Sequence, residues 1–236
     1  LVISEVQVKS NIKGKQGGRV NMKVIAINGS PRKHGNTAEM LKSALEGAKE
    51  NGAKTKIYNL YDMEFTGCVS CFACKKKGKD CKGLCVIKDD LKEVLEEILK
   101  CDALLIGSPI YFSDVTGEVR SFLERLLFPI LSYNKGEREI LKESIPSAFI
   151  YTMNVPLEQY DSLGYKVIAE RNQKIIGGLL KAESQILLSC NTYQFKDYDK
   201  YDASRFSVEE KEKVRKEQFP LDLKAAFELG KQLTTK

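Results

Sequence analysis

Three stretches of this chain, MKVIAIN (22–28), DALLIGS (102–108) and SAFIYTM (147–153), are apolar without alternation. A strand with one wet face alternates, whereas a strand covered on both faces does not. These runs therefore require a sheet with cover on both sides, and helical periodicity between them supplies it. One helix is predicted from about Thr37 to Asn51, with Ala38, Leu41, Ala44, Leu45 and Ala48 on one face. A second carries Leu91, Val94, Leu95, Ile98 and Leu99, and a third Val115, Val119, Phe122, Leu123, Leu126 and Leu127. Asn36 with Glu39, and Asp90 with Glu93, have the spacing of N-terminal capping pairs. KTKIYNL (54–60) and QILLS (185–189) add two strands. A helix over about 157–181 and a last helix from about Val208 to Leu233, interrupted near Pro220, complete the pattern. Strands alternating with helices give a parallel sheet.

Five such strands suit a doubly wound α/β sheet of flavodoxin-like order 2-1-3-4-5. Ligands of such sheets bind beyond the carboxyl ends of the strands, at the switch point between strands 1 and 3. The loops after those two strands meet there. A cysteine-rich loop, residues 64–90, follows strand 2 and is expected to leave the same edge. With 42% hydrophobic residues the chain can build one core, so residues 22–236 read as a single domain with a C-terminal helical extension over about 191–236. Residues 1–21 lack sustained periodicity and read as a flexible N-terminal extension, with an added edge strand through LVISEVQV as the alternative.

The net charge is +6, half of it in residues 1–21. Elsewhere lysines and glutamates intersperse, as in DDLKEVLEEILK and VEEKEKVRKE, which read as solvated helix faces. No basic stripe with stacking aromatics points to nucleic acid. No apolar run is long enough to span a bilayer. A cytoplasmic protein with no nucleic-acid or membrane partner is the expectation.

The loop after strand 1, GSPRKHGNT (29–37), feeds a helix N-terminus, where free N–H groups and the helix dipole favour an anion. Ser30, Asn36 and Thr37 add donors, and Arg32 can fork onto phosphate oxygens. The alternative is a polar turn that only connects. Gly29 and Gly35 are separated by five intervening residues and Asn36 replaces the lysine of a P-loop, so nucleotide hydrolysis is unsupported. His34, the only histidine, reads as an exposed loop residue.

NGSPRKHGNT together with GSPIYFSDVTGEVRSFLERL (107–126) resembles the NADPH-dependent FMN reductase family. With the C-x-x-C-x-x-C loop between the two motifs, the chain looks most like the iron–sulfur flavoprotein branch. The resemblance covers roughly residues 22–155. It implies that Ser30, Arg32, Asn36 and Thr37 hold the FMN phosphate and that Pro109, Ile110, Tyr111 and Phe112 run along the isoalloxazine ring. It also implies that Thr152, Met153 and Asn154 form a third flavin-contacting loop. The residue types agree, because a flavin needs a flat, mostly apolar slot with a few backbone donors. Ordinary packing beneath a loop is the alternative for Tyr111 and Phe112.

Five of the seven cysteines fall between Cys68 and Cys85. Thiolates are the ligands of iron–sulfur clusters, and the two-residue gaps make Cys68, Cys71 and Cys74 the natural first three. The fourth is open. Cys81 gives the shorter spacing typical of iron–sulfur flavoproteins; Cys85 sits before an acidic helix start, as the last cysteine of that branch commonly does, and this context favours it. A zinc site, a redox pair and free thiols are the other readings of the loop. The lysines of KKKGKDCK are expected to lower thiol pKa values. Cys101 and Cys190 read as small core residues. The aromatic-rich segment 191–206 reads as a lid, a subunit contact, or a loop anchored by its rings.

The resemblance implies a flavin-dependent oxidoreductase whose FMN accepts two electrons, from NAD(P)H or a reduced protein, and passes them singly through a [4Fe–4S] cluster. The acceptor is a redox partner protein or a small molecule, and the assembly a homodimer or homotetramer. No side chain is needed as a catalyst, the chemistry being the flavin's. The alternatives are a cluster-free NAD(P)H-dependent FMN or quinone reductase, and a non-catalytic metal- or redox-sensing protein.

Overall fold

The computed structural model describes residues 22–78, 81–137 and 139–235; the extension expected over 1–21 lies outside the described residues. The strands are β1 (Lys23–Asn28), β2 (Lys54–Asn59), β3 (Ala103–Pro109), β4 (Ser147–Thr152) and β5 (Ser184–Ser189). They form one sheet in the order β2-β1-β3-β4-β5, every pair parallel. That is the expected flavodoxin-like order.

The three unalternating strands are buried on both faces, as their sequences require. On one face Ile25, Ile27, Leu104, Ile106, Phe149 and Tyr151 meet helices α2 (Leu91–Ile98), α3 (Gly117–Ile130) and α4 (Tyr165–Leu179). On the other, Val24, Ala26, Leu105, Ala148 and Ile150 meet α1 (Asn36–Glu50) and α6 (Phe219–Thr234). A short helix, α5 (Val208–Lys213), precedes α6. Among the described residues no helix is long and apolar enough to cross a membrane.

Several local expectations are corrected. Neither predicted capping pair forms: α1 is capped by Gly35 and α2 by Asp90, both without a side-chain cap bond. Asn36 instead reaches Tyr193, Glu39 pairs with Arg215, and Asp90 accepts the backbone N–H of Glu64. These side chains tie distant loops to helix starts. The helix expected from 157 begins only at Tyr165, after a separate turn over Leu157–Gln159. Pro220 does not break the C-terminal helix. Residues Val214–Gln218 widen into a π turn, and Pro220 falls in the first turn of α6, where its missing N–H costs least.

Helices α1 and α6 touch backbone to backbone. A Cβ on Gly47 would sit 1.9 Å from the carbonyl oxygen of Phe227, and one on Gly230 would sit 1.8 Å from that of Ala44. Gly47→Ala is therefore expected to lower stability by about 1–3 kcal/mol through overpacking. Gly117→Ala, with nothing within 4 Å, should be neutral or slightly stabilising. Urea denaturation of both variants checks the contrast.

Candidate functional site

The loops after β1 and β3 are joined at the switch point. Gly29 donates its N–H to the Gly107 carbonyl at 2.8 Å, and Thr116 donates its hydroxyl to the Gly29 carbonyl at 2.8 Å. Thr116 also caps α3, its oxygen accepting the Val119 N–H. One side chain thus fixes the first loop, the end of the second and the start of a helix.

Ser30 is buried and accepts the Arg32 N–H at 3.1 Å. The Thr37 hydroxyl shares a hydrogen bond with that of Thr152 at 2.7 Å, bringing the β4 loop to the start of α1. Because α1 has no side-chain cap, its first-turn amides face this loop without a protein side chain to satisfy them. Arg32 donates to the carbonyl of Gln194, and Asn36 donates to that of Tyr193 at 2.8 Å.

The β3 loop is a tight turn in which Tyr111 and Asp114 exchange backbone bonds of 2.9 and 3.1 Å. Phe112 and Ser113 have φ values of 49° and 68°, a left-handed conformation that costs energy in residues other than glycine. The Asp114 carboxylate holds the turn in place, accepting 2.8 and 2.9 Å bonds from Arg120 on α3. Phe112 is fully exposed and Tyr111 nearly half so, which is not the packing of rings beneath a loop. Ile110 donates its N–H to the Thr152 carbonyl at 2.9 Å. Met153 is buried.

Asn154 is held by Lys211, whose buried ammonium reaches both the backbone and side-chain oxygens of Asn154 and the Thr192 carbonyl. Lys211 belongs to VEEKEKVRKE, so one lysine of this apparently solvated face is inside. Segment 191–206 packs its rings on one another around buried Tyr198, which accepts the Gln194 N–H. Phe195 stacks on Tyr201 with centroids 4.2 Å apart.

The cysteine loop does not stay at the edge of the sheet. It runs along α3, where Lys75 donates to the carbonyls of Pro129 and Leu131 at the helix end. A small cavity of about 10 Å³ lies between loop and helix, lined by Cys68, Cys71, Cys74 and Cys85 with Glu124, Arg125 and Phe128. Cys81 is not in its wall; its thiol donates to the Cys74 carbonyl at 2.9 Å. Among the described residues, no three His, Cys, Asp or Glu side chains are drawn together closely enough to hold a metal ion. By its chemistry the donor set nonetheless fits an iron–sulfur group, four cysteines lining one cavity. Burial pushes the Cys74 thiol upward despite Lys75 beside it, contrary to the lowering expected from the lysines. Burial pushes Cys101 and Cys190 up to about 12, consistent with inert core thiols.

Residues 22–140, half of the chain, match the model of the NADPH-dependent FMN reductases. The chain belongs to the NADPH-dependent FMN reductase family. Within this FMN reductase family, its curated relatives include iron–sulfur flavoproteins. One from Methanocaldococcus jannaschii is 38% identical over 104 residues, 44% of this chain and 51% of that protein. Another from Archaeoglobus fulgidus is 42% identical over 104 residues, 44% of this chain and 48% of that protein. The chain thus spans about half the length of the curated relatives it matches. Among solved structures, an NAD(P)H:quinone oxidoreductase from Methanothermobacter marburgensis superposes with a TM-score of 0.64 at 18% identity, covering 92% of this chain and 98% of the other. An FMN-dependent NADH-azoreductase from Bacillus anthracis gives 0.60 at 14% identity, covering 91% and 100%. These two share the fold.

In this chain the predicted phosphate residues, ring-lining residues and third loop meet at one edge, while the predicted metal ligands line a separate pocket. Four supporting residues escaped sequence reading. Thr116 carried a signal, a threonine before a helix. Lys211 carried none, since its partner Asn154 is remote in sequence, and Asp114 and Arg120, only six residues apart, carried none because the turn that brings them together has no periodicity.

Burial holds the Lys211 ammonium down to about 8. An unfolded chain keeps that proton to about 10.4. Between those values the unfolded state binds more protons, so the contribution of this group to stability rises with pH. The stability of wild type relative to Lys211→Met is expected to climb from pH 8 to pH 10, by at most about 1.4 kcal/mol per pH unit. Urea denaturation across that range reads it; a flat difference would contradict the assignment.

Proposed function

We propose that this protein is a flavin-dependent oxidoreductase that binds FMN at the β1/β3 switch point and an iron–sulfur cluster between the cysteine loop and α3. The observation that carries the reading is the convergence of three loops on an uncapped helix start, beside an exposed aromatic pair on a strained turn. When bound, FMN supplies the exchange between two-electron donors such as NAD(P)H and one-electron acceptors. A [4Fe–4S] cluster supplies one-electron storage.

The residues of this chain hold and orient. Ser30, Arg32, Asn36 and Thr37, with the first-turn amides of α1, would hold the FMN phosphate. Pro109, Ile110, Tyr111 and Phe112 would line the isoalloxazine ring, with Tyr111 and Phe112 giving it aromatic surface. Thr152, Met153 and Asn154 would close the third side, backed by Lys211. Asp114 and Arg120 keep the ring-lining turn from relaxing. Cys68, Cys71, Cys74 and Cys85 would ligate the cluster, Cys81 standing outside the pocket. A redox partner protein or a small molecule would take the electrons. The assembly is a homodimer or homotetramer in the cytoplasm.

Purified anaerobically, the protein is expected to carry FMN and about four irons per chain. FMN without iron would select a cluster-free reductase, and no FMN on titration would sink the proposal. Arg32→Ala is expected to weaken FMN binding about 10- to 100-fold, the worth of a hydrogen bond to a charged group, as read by flavin fluorescence titration. Cys85→Ser should lose most of the iron, while Cys81→Ser should retain it.

A further inference from the structure

Arg125 sits in the wall of the thiol pocket with its side chain fully buried. Its guanidinium is fixed from two sides. Nη1 donates to the Thr66 carbonyl at 2.9 Å and to the Asp89 carboxylate at 2.7 Å, and Nη2 donates to the same carboxylate at 3.0 Å. Nε donates to the Cys85 sulfur at 3.0 Å. The plane of the group is set by a backbone carbonyl and a carboxylate, so the direction of the Nε–H does not depend on the thiol it meets.

Burying an arginine–carboxylate pair is a poor way to gain stability, because packed apolar groups of the same volume do as well or better. The neighbouring residue supports a different role. Glu124 accepts the backbone N–H of Cys68 at 3.0 Å, so consecutive residues of α3 hold the first cysteine of the pocket by its backbone and the last by its sulfur. Cys81 has no such partner on α3; its thiol is turned to the Cys74 carbonyl.

We propose that Arg125 is a positioning residue for the cluster, selecting Cys85 over Cys81 as the fourth ligand and raising the cluster's reduction potential. The proposal rests on the iron–sulfur reading above. Groups that hydrogen-bond a ligand sulfur orient that ligand, and they favour the more negative, reduced state. One-electron reduction adds one negative charge beside the Nε–H without requiring a proton to move; dithionite supplies the electron in the test and the flavin supplies it in the protein. An arginine that only staples the loop to α3 would leave the potential unchanged.

The test uses the full chain, reconstituted anaerobically with iron and sulfide, as wild type, Arg125→Lys, Arg125→Gln, Cys81→Ser and Cys85→Ser. Iron per chain is counted, and the cluster is titrated with dithionite and followed by electron paramagnetic resonance. Both arginine variants are expected to bind iron but to be harder to reduce, with an equilibrium shifted about tenfold, or ~59 mV for one electron. Unchanged potentials at full iron content in both would overturn the tuning role. If the arginine variants do not fold, the cysteine pair still decides. Iron kept by Cys81→Ser and lost by Cys85→Ser supports the selection of Cys85, and the reverse pattern overturns it. A wild-type chain with FMN but no iron and sulfide would instead overturn the cluster reading itself, and this inference with it.

Discussion

The hydroxyl of Thr116 is the joint on which the switch-point edge of the sheet depends. It reaches the Gly29 carbonyl while its oxygen caps α3, and Gly29 in turn donates to Gly107. Strands β1 and β3 are neighbours in the sheet, but their following helices go to opposite faces. A crevice must open between the two departing loops, and nothing in the sheet ladder closes it. The bonds of Thr116 and Gly29 set its width. Because Thr116 also starts α3, the same joint sets where every residue of that helix stands. Arg120, which clamps the Asp114 turn, and Arg125, which reaches the thiol pocket, both take their positions from it. Along the helix axis, Thr116 and Arg125 are separated by about 1.5 Å per residue, roughly 13 Å. The two candidate redox sites are therefore successive stations on one rigid element.

The cysteine loop is ordered by different means. Its exposed apolar residues, Val69, Phe72 and Val86, contribute little to the core, and only Cys85 among its thiols is buried. Phe65, Leu84 and Ile87 pack against the core, and charge supplies the rest of the order. Arg125 and Asp89 hold its carboxyl end, Glu124 holds the Cys68 backbone, and Lys75 takes the free carbonyls at the end of α3. Lys75 also lies 4.9 Å over the Phe128 ring. A helix end with unsatisfied carbonyls and negative dipole is a natural seat for an ammonium. The loop is thus pinned to α3 at both ends and in the middle, with a space between.

Sheet order and core faces were legible because hydrophobic period is a local property, and MKVIAIN, DALLIGS and SAFIYTM carry it unbroken. The loops after β1 and β3 could be placed for the same reason, each lying between a clear strand and a clear helix. Side-chain partners over long separations were not. Asn36 and Glu39 have the spacing of a cap, but Tyr193 and Arg215 compete for them from more than 150 residues away. Lys211 sits among seven charged neighbours in VEEKEKVRKE and looks solvated, yet α5 is short and turns that one position inward, where three oxygens compensate part of its desolvation. Arg125 lies within the apolar period FLERLL, where an arginine reads as surface until the Asp89 carboxylate is placed opposite it.

The C-terminal segment bears most directly on the loop after β1, the candidate anion site. Tyr193 and Gln194 offer carbonyls to Asn36 and Arg32, the side chains that would meet an anion. Such bonds do not exhaust these donors, since an amide carries two N–H groups and a guanidinium five. One N–H of each can be spent on the segment while the others remain available to phosphate oxygens. Spending them this way removes rotational freedom from two long side chains before any ligand arrives, and that entropy is otherwise charged to binding. Lys211 completes the arrangement by tying Thr192 to Asn154, so the segment, the third loop and the start of α1 hold one another. The rings of segment 191–206 then have a defined task. By packing on Tyr198 they keep two backbone carbonyls aimed at Arg32 and Asn36, so the segment stands as a wall beside the loop after β1.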